Sequence, residues 1–465
     1  MNIEQIYTGC LSEATYFIKS NNEAAIIDPL RETNTYLAKL KEEKATLKYI
    51  FITHFHADFV SGHVDLAKKT GATIVFGPNA EAEFKFYQAK DQEILNLGEL
   101  TIKVLHTPGH TLESTCYLLF DEKGIEQCVF TGDTLFIGDV GRPDLAVKSD
   151  LSQSDLAKLL YQSINDKILP LHDDVIIYPG HGAGSACGKN MSKETFDTLG
   201  HQKKVNYALN SKLDAEDFVK EVTCGLSTPP QYFPVNVKMN KSINKPFEKI
   251  LEEGLTPLNP EKFKQAMGES LVIDCRKPAE FAEAHIPGSI FIGIDGGFAP
   301  WAGAVISNLH QKILLVGNPN RMEEAITRLA RVGIDNTVGH LEGGMNNWVN
   351  AGFKTDSVRS IDAKTFEKET NKNIPIIDVR NNGEYERGHL VQSIYKPLDN
   401  ISENIKGYNK DENYHIHCQG GYRSMIACSI LKSKNIHNVT DIQGGFAAIS
   451  MNTKLPIEEG VYCNS

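Results

Sequence analysis

Imidazoles and carboxylates cluster at four places in this chain, each where an apolar run gives way to a turn. His54, His56 and Asp58 lie in Thr-His-Phe-His-Ala-Asp-Phe, His110 in Thr-Pro-Gly-His-Thr, Asp133 in Thr-Gly-Asp-Thr and His181 in Pro-Gly-His-Gly. One His-x-His alone reads as turn residues, because Asp and His are common in loops. Four such endings together read as a metal site, since these are the donors that Zn and non-haem Fe favour. A second chemistry is written in the string His417-Cys418-Gln419-Gly420-Gly421-Tyr422-Arg423-Ser424. A cysteine at a strand end, followed by a glycine-rich turn into a helix, has its thiolate stabilised by backbone N–H groups and the helix dipole. The same loop can cradle a transferred anion, and Arg423 adds a fixed positive charge. A third stretch, residues 182–189, sets small residues beside the Cys187 thiol and the Lys189 ammonium, with room for close backbone approach.

Strands and helices must carry these groups to one another. Runs at 24–28, 49–53, 73–76, 101–106, 116–120, 127–131 and 175–178 read as strands, and 34–44, 63–70 and 154–164 as helices. Prolines crowd residues 223–258 and mark a domain boundary with an ordered connector. Beyond it the chain repeats itself. Asp274, Arg276, Glu280, His285 and Ser289 recur as Asp378, Arg380, Glu384, His389 and Ser393, and Gly343-Gly344 recurs as Gly444-Gly445. Two copies of an α/β unit of about 100 residues follow. We divide the chain at 1–240, 258–355 and 358–460. A strand over 414–417 and a helix over 424–434 flank Cys418.

A chain of 465 residues suits about three domains. Its net charge of −11 argues against nucleic acid or an anionic membrane as partner. No apolar run approaches the ~18–20 residues of a membrane span, and residues 1–10 lack a basic-then-apolar signal pattern. The nine cysteines form no CxxC pair, which fits reduced thiols in the cytoplasm. Cys10, Cys116, Cys128, Cys224, Cys428 and Cys463 read as inert.

The His and Asp motifs resemble the metallo-β-lactamase superfamily, and the Cys418 string resembles rhodanese. Together they are similar to fused persulfide dioxygenase–rhodanese proteins across nearly the whole chain. That resemblance implies an αββα sandwich followed by two rhodanese-like α/β domains. The superfamily's signature is His-x-His-x-Asp-His, and Phe59 stands at its last position. A phenyl ring cannot coordinate a metal, so a dinuclear zinc hydrolase of the hydroxyacylglutathione type is disfavoured. The persulfide dioxygenase branch implies one Fe(II) per chain, held by His54, His110 and Asp133, with His56, Asp58 and His181 behind them. For His56 a structural role is an equal alternative. Arg142, in Gly-Asp-Val-Gly-Arg-Pro-Asp-Leu, would pair with a substrate carboxylate or with a structural partner. Cys187, near Lys189, would accept or relay sulfane sulfur, or stay a buried inert thiol.

The rhodanese resemblance makes Cys418 the persulfide-forming nucleophile, and implies a structural ion-pair network for Arg380 and Glu384. In the first copy Cys418 falls on Gly317, and Pro319 removes an N–H from any cradle. Cys275 reads as core, so this copy is a pseudo-rhodanese: a spacer, docking surface or oligomerisation unit. The implied reaction converts a thiol persulfide (of glutathione, coenzyme A or similar) and O2 to sulfite and thiol, with sulfur carried by Cys418 and thiosulfate as a further product. The competing readings are a zinc thiolester hydrolase and a sulfur carrier without oxidase chemistry. We expect a cytoplasmic homo-oligomer.

Overall fold

Along the strands of the N-terminal half, successive side chains point to opposite faces, and both faces are apolar. The computed structural model describes residues 1–147, 151–210, 212–226 and 228–459; Cys463 lies outside them. Met1–Phe247 with Ala330–Gly333 form one unit, and Glu248–Leu329 with the chain from Ile334 form another.

The first unit holds two six-stranded sheets. One runs in order from Asn2–Thr8 through Glu13–Ser20, Glu23–Ile27, Thr46–Phe51 and Thr73–Phe76 to Tyr87–Gln88. The other runs Asp197–Thr198, Ile176–Pro179, Glu126–Gly132, Thr115–Phe120, Leu100–His106, Ile94–Leu97. Tyr16, Ile18, Ile27 and Phe51 of the first sheet meet Val104, Tyr117, Leu119 and Phe130 of the second. The alternate residues Phe17, Ile26, Ile50 and Ile74 pack outward under Tyr36, Leu40 and Leu66 of helices Asn34–Glu42 and His63–Thr70. On the far side, Leu105, Leu118, Val129 and Ile177 pack under Ala157, Leu160, Phe218 and Val222. This is the expected αββα sandwich. Each fully buried large side chain contributes about 1.5–3 kcal/mol.

In the second unit the repeat folds twice in the same way. The sheet Pro257–Leu258, Thr337–Leu341, Lys312–Val316, Ser270–Asp274, Ile290–Phe291 has the strand order of Arg359–Ile361, Val439–Ile442, Tyr414–His417, Ile376–Asp378, Ser393–Tyr395. Every pairing in both sheets is parallel, which requires crossover connections. Among the described residues no helix is long and apolar enough to cross a membrane.

Three departures from the sequence reading have local causes. The strand expected to reach residue 53 stops at Phe51. Thr53 leaves the ladder because its N–H and hydroxyl both donate to the Asp28 carboxylate, at 2.9 and 2.7 Å. The helix expected over 34–44 ends at Glu42, with Lys44 in the left-handed region at φ 51°. The proline-rich connector contains helices Phe233–Asn240 and Phe247–Gly254, the first with Pro234 in its opening turn, where a missing N–H does no harm.

Gly109 precedes His110 with φ +150°, and a Cβ there would lie 2.4 Å from the Leu160 Cα. Gly109→Ala is expected to destabilise the first unit by ~2–4 kcal/mol, read as a lower midpoint of that unit's thermal transition.

Candidate metal centre and sulfur-transfer loop

Four strands of the first unit deliver the metal-binding groups. The chain leaving Thr46–Phe51 carries His54, His56 and Asp58, and the chain leaving Leu100–His106 carries His110. The parallel neighbours Glu126–Gly132 and Ile176–Pro179 end together, where Gly180 N–H donates to the Gly132 carbonyl at 2.8 Å. Asp133 and His181 therefore emerge side by side.

Donor atoms of His54, His110 and Asp133 lie within 4.8 Å of one another, and all three residues are buried. Asp133 Oδ2 is 3.8 Å from His54 Nε2 and 3.5 Å from His110 Nε2. His110 Nδ1 is 2.9 Å from the Arg142 carbonyl; donating there leaves Nε2 as the free lone pair. His54 Nε2 and both Asp133 oxygens are buried with no hydrogen-bond partner. A buried carboxylate without partners is costly, so this cluster fits a cation. Burial, and then the neighbouring His56, His110 and His181, hold His54 well below the usual imidazole range, in the neutral form a metal needs.

A second buried trio, His56, Asp58 and His181, lies beside the first. His181 Nε2 is 3.3 Å from Asp58 Oδ2 and 3.6 Å from Asp133 Oδ1. His56 Nε2 is 3.1 Å from Asp28 Oδ1, and this carboxylate lifts His56 above its ordinary value although burial acts the other way. Phe59 stacks on the His56 ring at 4.2 Å and is fully buried, so an apolar ring fills the place beside this trio. Asp28 was not among the residues singled out from sequence, although it both anchors Thr53 and engages His56. Its signal was an acidic residue closing an apolar strand beside the one that carries the histidines.

The remaining residues of this region divide. Cys187 is buried within 4.8 Å of Asp133 and His181 donor atoms, and burial, then the Asp58 and Asp133 carboxylates, push its thiol well up. Arg142 grips Asp144 through Nε and Nη2 at 2.6 and 2.7 Å and reaches the Ala186 carbonyl at 3.2 Å. Its charge is thus matched by Asp144 in its own segment, and it is tied by the Ala186 carbonyl to the loop that holds Cys187. Lys189 Nζ donates to the carbonyls of Glu221 and Cys224, at 2.5 and 3.3 Å, over the Tyr207 ring.

In the second unit, Cys418 follows strand Tyr414–His417 and precedes helix Tyr422–Ser433. Its thiol is 1% exposed, and Sγ accepts from Gly421 N–H at 3.1 Å and faces Ser424 Oγ at 3.6 Å. Gly445, at φ +55°, would place a Cβ 2.2 Å from the Cys418 carbonyl. The Gly444-Gly445 turn is thus what lets helix Gly445–Asn452 back against the loop, where Phe446 N–H donates to that carbonyl.

Arg380 and Glu384 both enter ion pairs, each with a different partner. Arg380 binds its near neighbour Asp378 (2.7 Å), and Glu384 binds Arg423 through two 2.6 Å bonds. Arg423 therefore reaches the loop already neutralised, while Arg380 Nη1 touches Gln419 at 3.3 Å. The first copy supports the second: Tyr422 hydroxyl donates to the Gly293 carbonyl at 2.6 Å, and Phe291 N–H donates to Ser429 at 2.9 Å. Cys275 is 2% exposed and bonded to the Val316 carbonyl at 3.1 Å. Burial, and then Asp274, push its thiol up.

A family model described as the metallo-beta-lactamase superfamily matches residues 8–181, and one described as the rhodanese-like domain matches 259–351 and 362–452. A hydroxyacylglutathione hydrolase of Haemophilus influenzae is 31% identical over 235 residues, spanning 46% of this chain and all of its own. A human mitochondrial persulfide dioxygenase is 30% identical over 243 residues, spanning 51% of this chain and 87% of its own. A crystal structure titled as a metallo-beta-lactamase from Staphylococcus aureus is 31% identical. It matches with TM-score 0.65 over 74% of this chain and 98% of its own.

Proposed function

From the premise that this chain belongs to the metallo-β-lactamase superfamily and carries two rhodanese-like domains, we propose that it oxidises sulfane sulfur. A low-molecular-weight thiol persulfide, O2 and water become sulfite and free thiol in the first unit, and Cys418 transfers sulfane sulfur in the second. The observation that carries this reading is the donor set of His54, His110 and Asp133, in which His54 Nε2 and both Asp133 oxygens are buried without a hydrogen-bond partner, with Phe59 stacked on His56 of the neighbouring trio. His54, His110 and Asp133 would hold one Fe(II), a 2-His-1-carboxylate set that leaves positions open for two reactants. Bound there, the iron supplies the redox chemistry by which O2 oxidises the persulfide's terminal sulfur.

The chain's own residues do the rest. The Arg142 carbonyl fixes the His110 ring, and the Thr53 hydroxyl, 3.0 Å from Nδ1, fixes His54. His181 Nε2 and Asp58 Oδ2, 3.3 Å apart beside the metal ligands, are placed to take up and return protons. Cys187 stands within reach of that cluster, but its buried thiol, held protonated by burial and the Asp58 and Asp133 carboxylates, suits the inert alternative better than a sulfur relay. At Cys418 the thiolate attacks the outer sulfur of a donor, the donor's S–S bond breaks, and the leaving group departs with the electron pair. Sulfite then takes the sulfur as thiosulfate and returns the Cys418 thiolate. The protein acts in the cytoplasm as a homo-oligomer, without nucleic-acid or membrane partners.

The rival is the hydroxyacylglutathione hydrolysis in the Haemophilus relative's name, and the number of metal ions that Phe59 permits is the feature we take to test between the two. Phe59→His would add an imidazole beside Asp58 and His181. Zinc-loaded Phe59→His is expected to bind two metal ions per chain against one in the wild type, read by elemental analysis. Fe(II)-loaded wild type should oxidise glutathione persulfide and leave S-lactoylglutathione intact. Thiolester turnover in its place would overturn the proposal.

A further inference from the structure

Behind Cys418 lies a short chain of hydrogen bonds that the sulfur-transfer reading does not use. Cys418 Sγ faces Ser424 Oγ at 3.6 Å, Ser424 Oγ donates to Asp441 Oδ1 at 2.6 Å, and Ser360 donates to Asp441 Oδ2 at 2.9 Å. Cys418, Ser424 and Asp441 are 1%, 0% and 2% exposed. Asp441 and Ser360 line a cavity of about 890 Å³ between the two copies, together with Gly420, Gly421 and Tyr422 of the loop.

The first copy serves as an internal comparison. Counting from Gly317 as from Cys418, Glu323 stands for Ser424 and His340 for Asp441. Across the sheet, Pro257 pairs with His340 as Ser360 pairs with Asp441. Thiol, hydroxyl, carboxylate and supporting hydroxyl are absent together from the copy that lacks the nucleophile. A carboxylate kept only to fill space would not be expected to depart with the thiol.

We propose that Asp441 is a positioning residue that accepts the Cys418 proton through Ser424 and returns it when sulfur leaves. The inference rests on the reading of Cys418 as a sulfur-transfer nucleophile. As the thiol attacks a persulfide or thiosulfonate donor, its proton passes to Ser424 Oγ while Ser424 gives its own to Asp441 Oδ1. The Cys418–sulfur bond forms, the donor's S–S bond breaks, and the donor's remaining half leaves with the electron pair. The reverse shift reprotonates Cys418 after an acceptor takes the sulfur. The cavity lets Asp441 exchange its proton with solvent.

Burial raises the Asp441 carboxyl to about 6, against the lowering effect of the Ser424 and Ser360 hydrogen bonds. That value suits a proton acceptor working near neutrality. The other titratable groups around it are Cys428 on the Ser424 helix, and Arg276, Lys277, Glu283 and Asp295 across the cavity. Asp441 accepts only when ionised, so transfer should rise with pH through about 6.

The test follows iodoacetamide alkylation of the Cys418 peptide in the full-length protein against pH, and thiosulfate-to-cyanide sulfur transfer. Asp441→Asn and Ser424→Ala should each remove the rise through about pH 6, so that the alkylation midpoint moves to higher pH, and slow transfer by roughly 10²-fold. The double variant should be no slower than either single one, and Ser424→Thr should restore the wild-type profile. Ser424→Ala probes the relay from its other end should Asp441→Asn fold poorly. An unchanged alkylation midpoint in both variants overturns the relay. If the midpoint moves but the wild type transfers no sulfane sulfur, the relay stands and the sulfurtransferase reading falls.

Discussion

Asp133→Ala is expected to lower O2 uptake on persulfide by at least ~10³-fold and to empty the first unit of metal. Asp133 is the only carboxylate in the trio with His54 and His110. Neutral imidazoles alone hold a divalent cation poorly, because the anionic donor supplies much of the attraction in a buried site. A second consequence is thermodynamic. Both Asp133 oxygens are buried without a hydrogen-bond partner from the protein, so the carboxylate is costly to the fold unless a cation offsets it. Metal loading should therefore raise the unfolding midpoint of the wild type through linkage. That rise should vanish in Asp133→Ala, while the metal-free variant unfolds no earlier than the metal-free wild type. Iron analysis and paired thermal scans check both halves.

Cys418→Ser should remove sulfur transfer by ~10³-fold or more, because a hydroxyl at the same place neither ionises near neutrality nor carries sulfane sulfur. The Gly421 N–H and Ser424 hydroxyl around the sulfur are backbone and neighbour groups that the substitution leaves in place. The fold of the second unit should accordingly be preserved. Supplied directly with a low-molecular-weight persulfide, the variant should still consume O2, with sulfite accumulating where the wild type makes thiosulfate. Ion chromatography of the products distinguishes the two.

What could be read from the sequence follows from where the physics is local. Helix His63–Thr70 and strands Thr73–Phe76 and Tyr414–His417 were legible to the residue, because apolar periodicity and turn residues bound them closely. The duplicated rhodanese-like fold was legible from motifs recurring at spacings of 104 and 101 residues. The hairpin of Asn2–Thr8 and Glu13–Ser20 was not: its first strand is a partly exposed edge in which the adjacent Glu4 and Gln5 break the alternation that marks a strand. At the metal centre, a cluster of His and Asp was legible because each motif ends a strand, whereas the choice of His54, His110 and Asp133 among them came from the persulfide dioxygenase resemblance. The hold of Asp28 on Thr53 and His56 depends on strands Glu23–Ile27 and Thr46–Phe51 lying side by side. The same holds for the Arg423–Glu384 pair and the Ser424–Asp441 bond, which join residues far apart in the chain. The resemblance placed Arg380 and Glu384 in a structural ion-pair network without giving their partners, which are Asp378 and Arg423.

The most direct test of the central claim is O2 consumption by the Fe(II)-loaded, full-length protein on addition of glutathione persulfide, with sulfite and thiosulfate quantified. The account predicts one O2 consumed per persulfide oxidised, and loss of that uptake in Asp133→Ala. Stoichiometric iron in the first unit with no O2 uptake from any thiol persulfide would contradict it, and would leave a rhodanese joined to a metal domain of another activity.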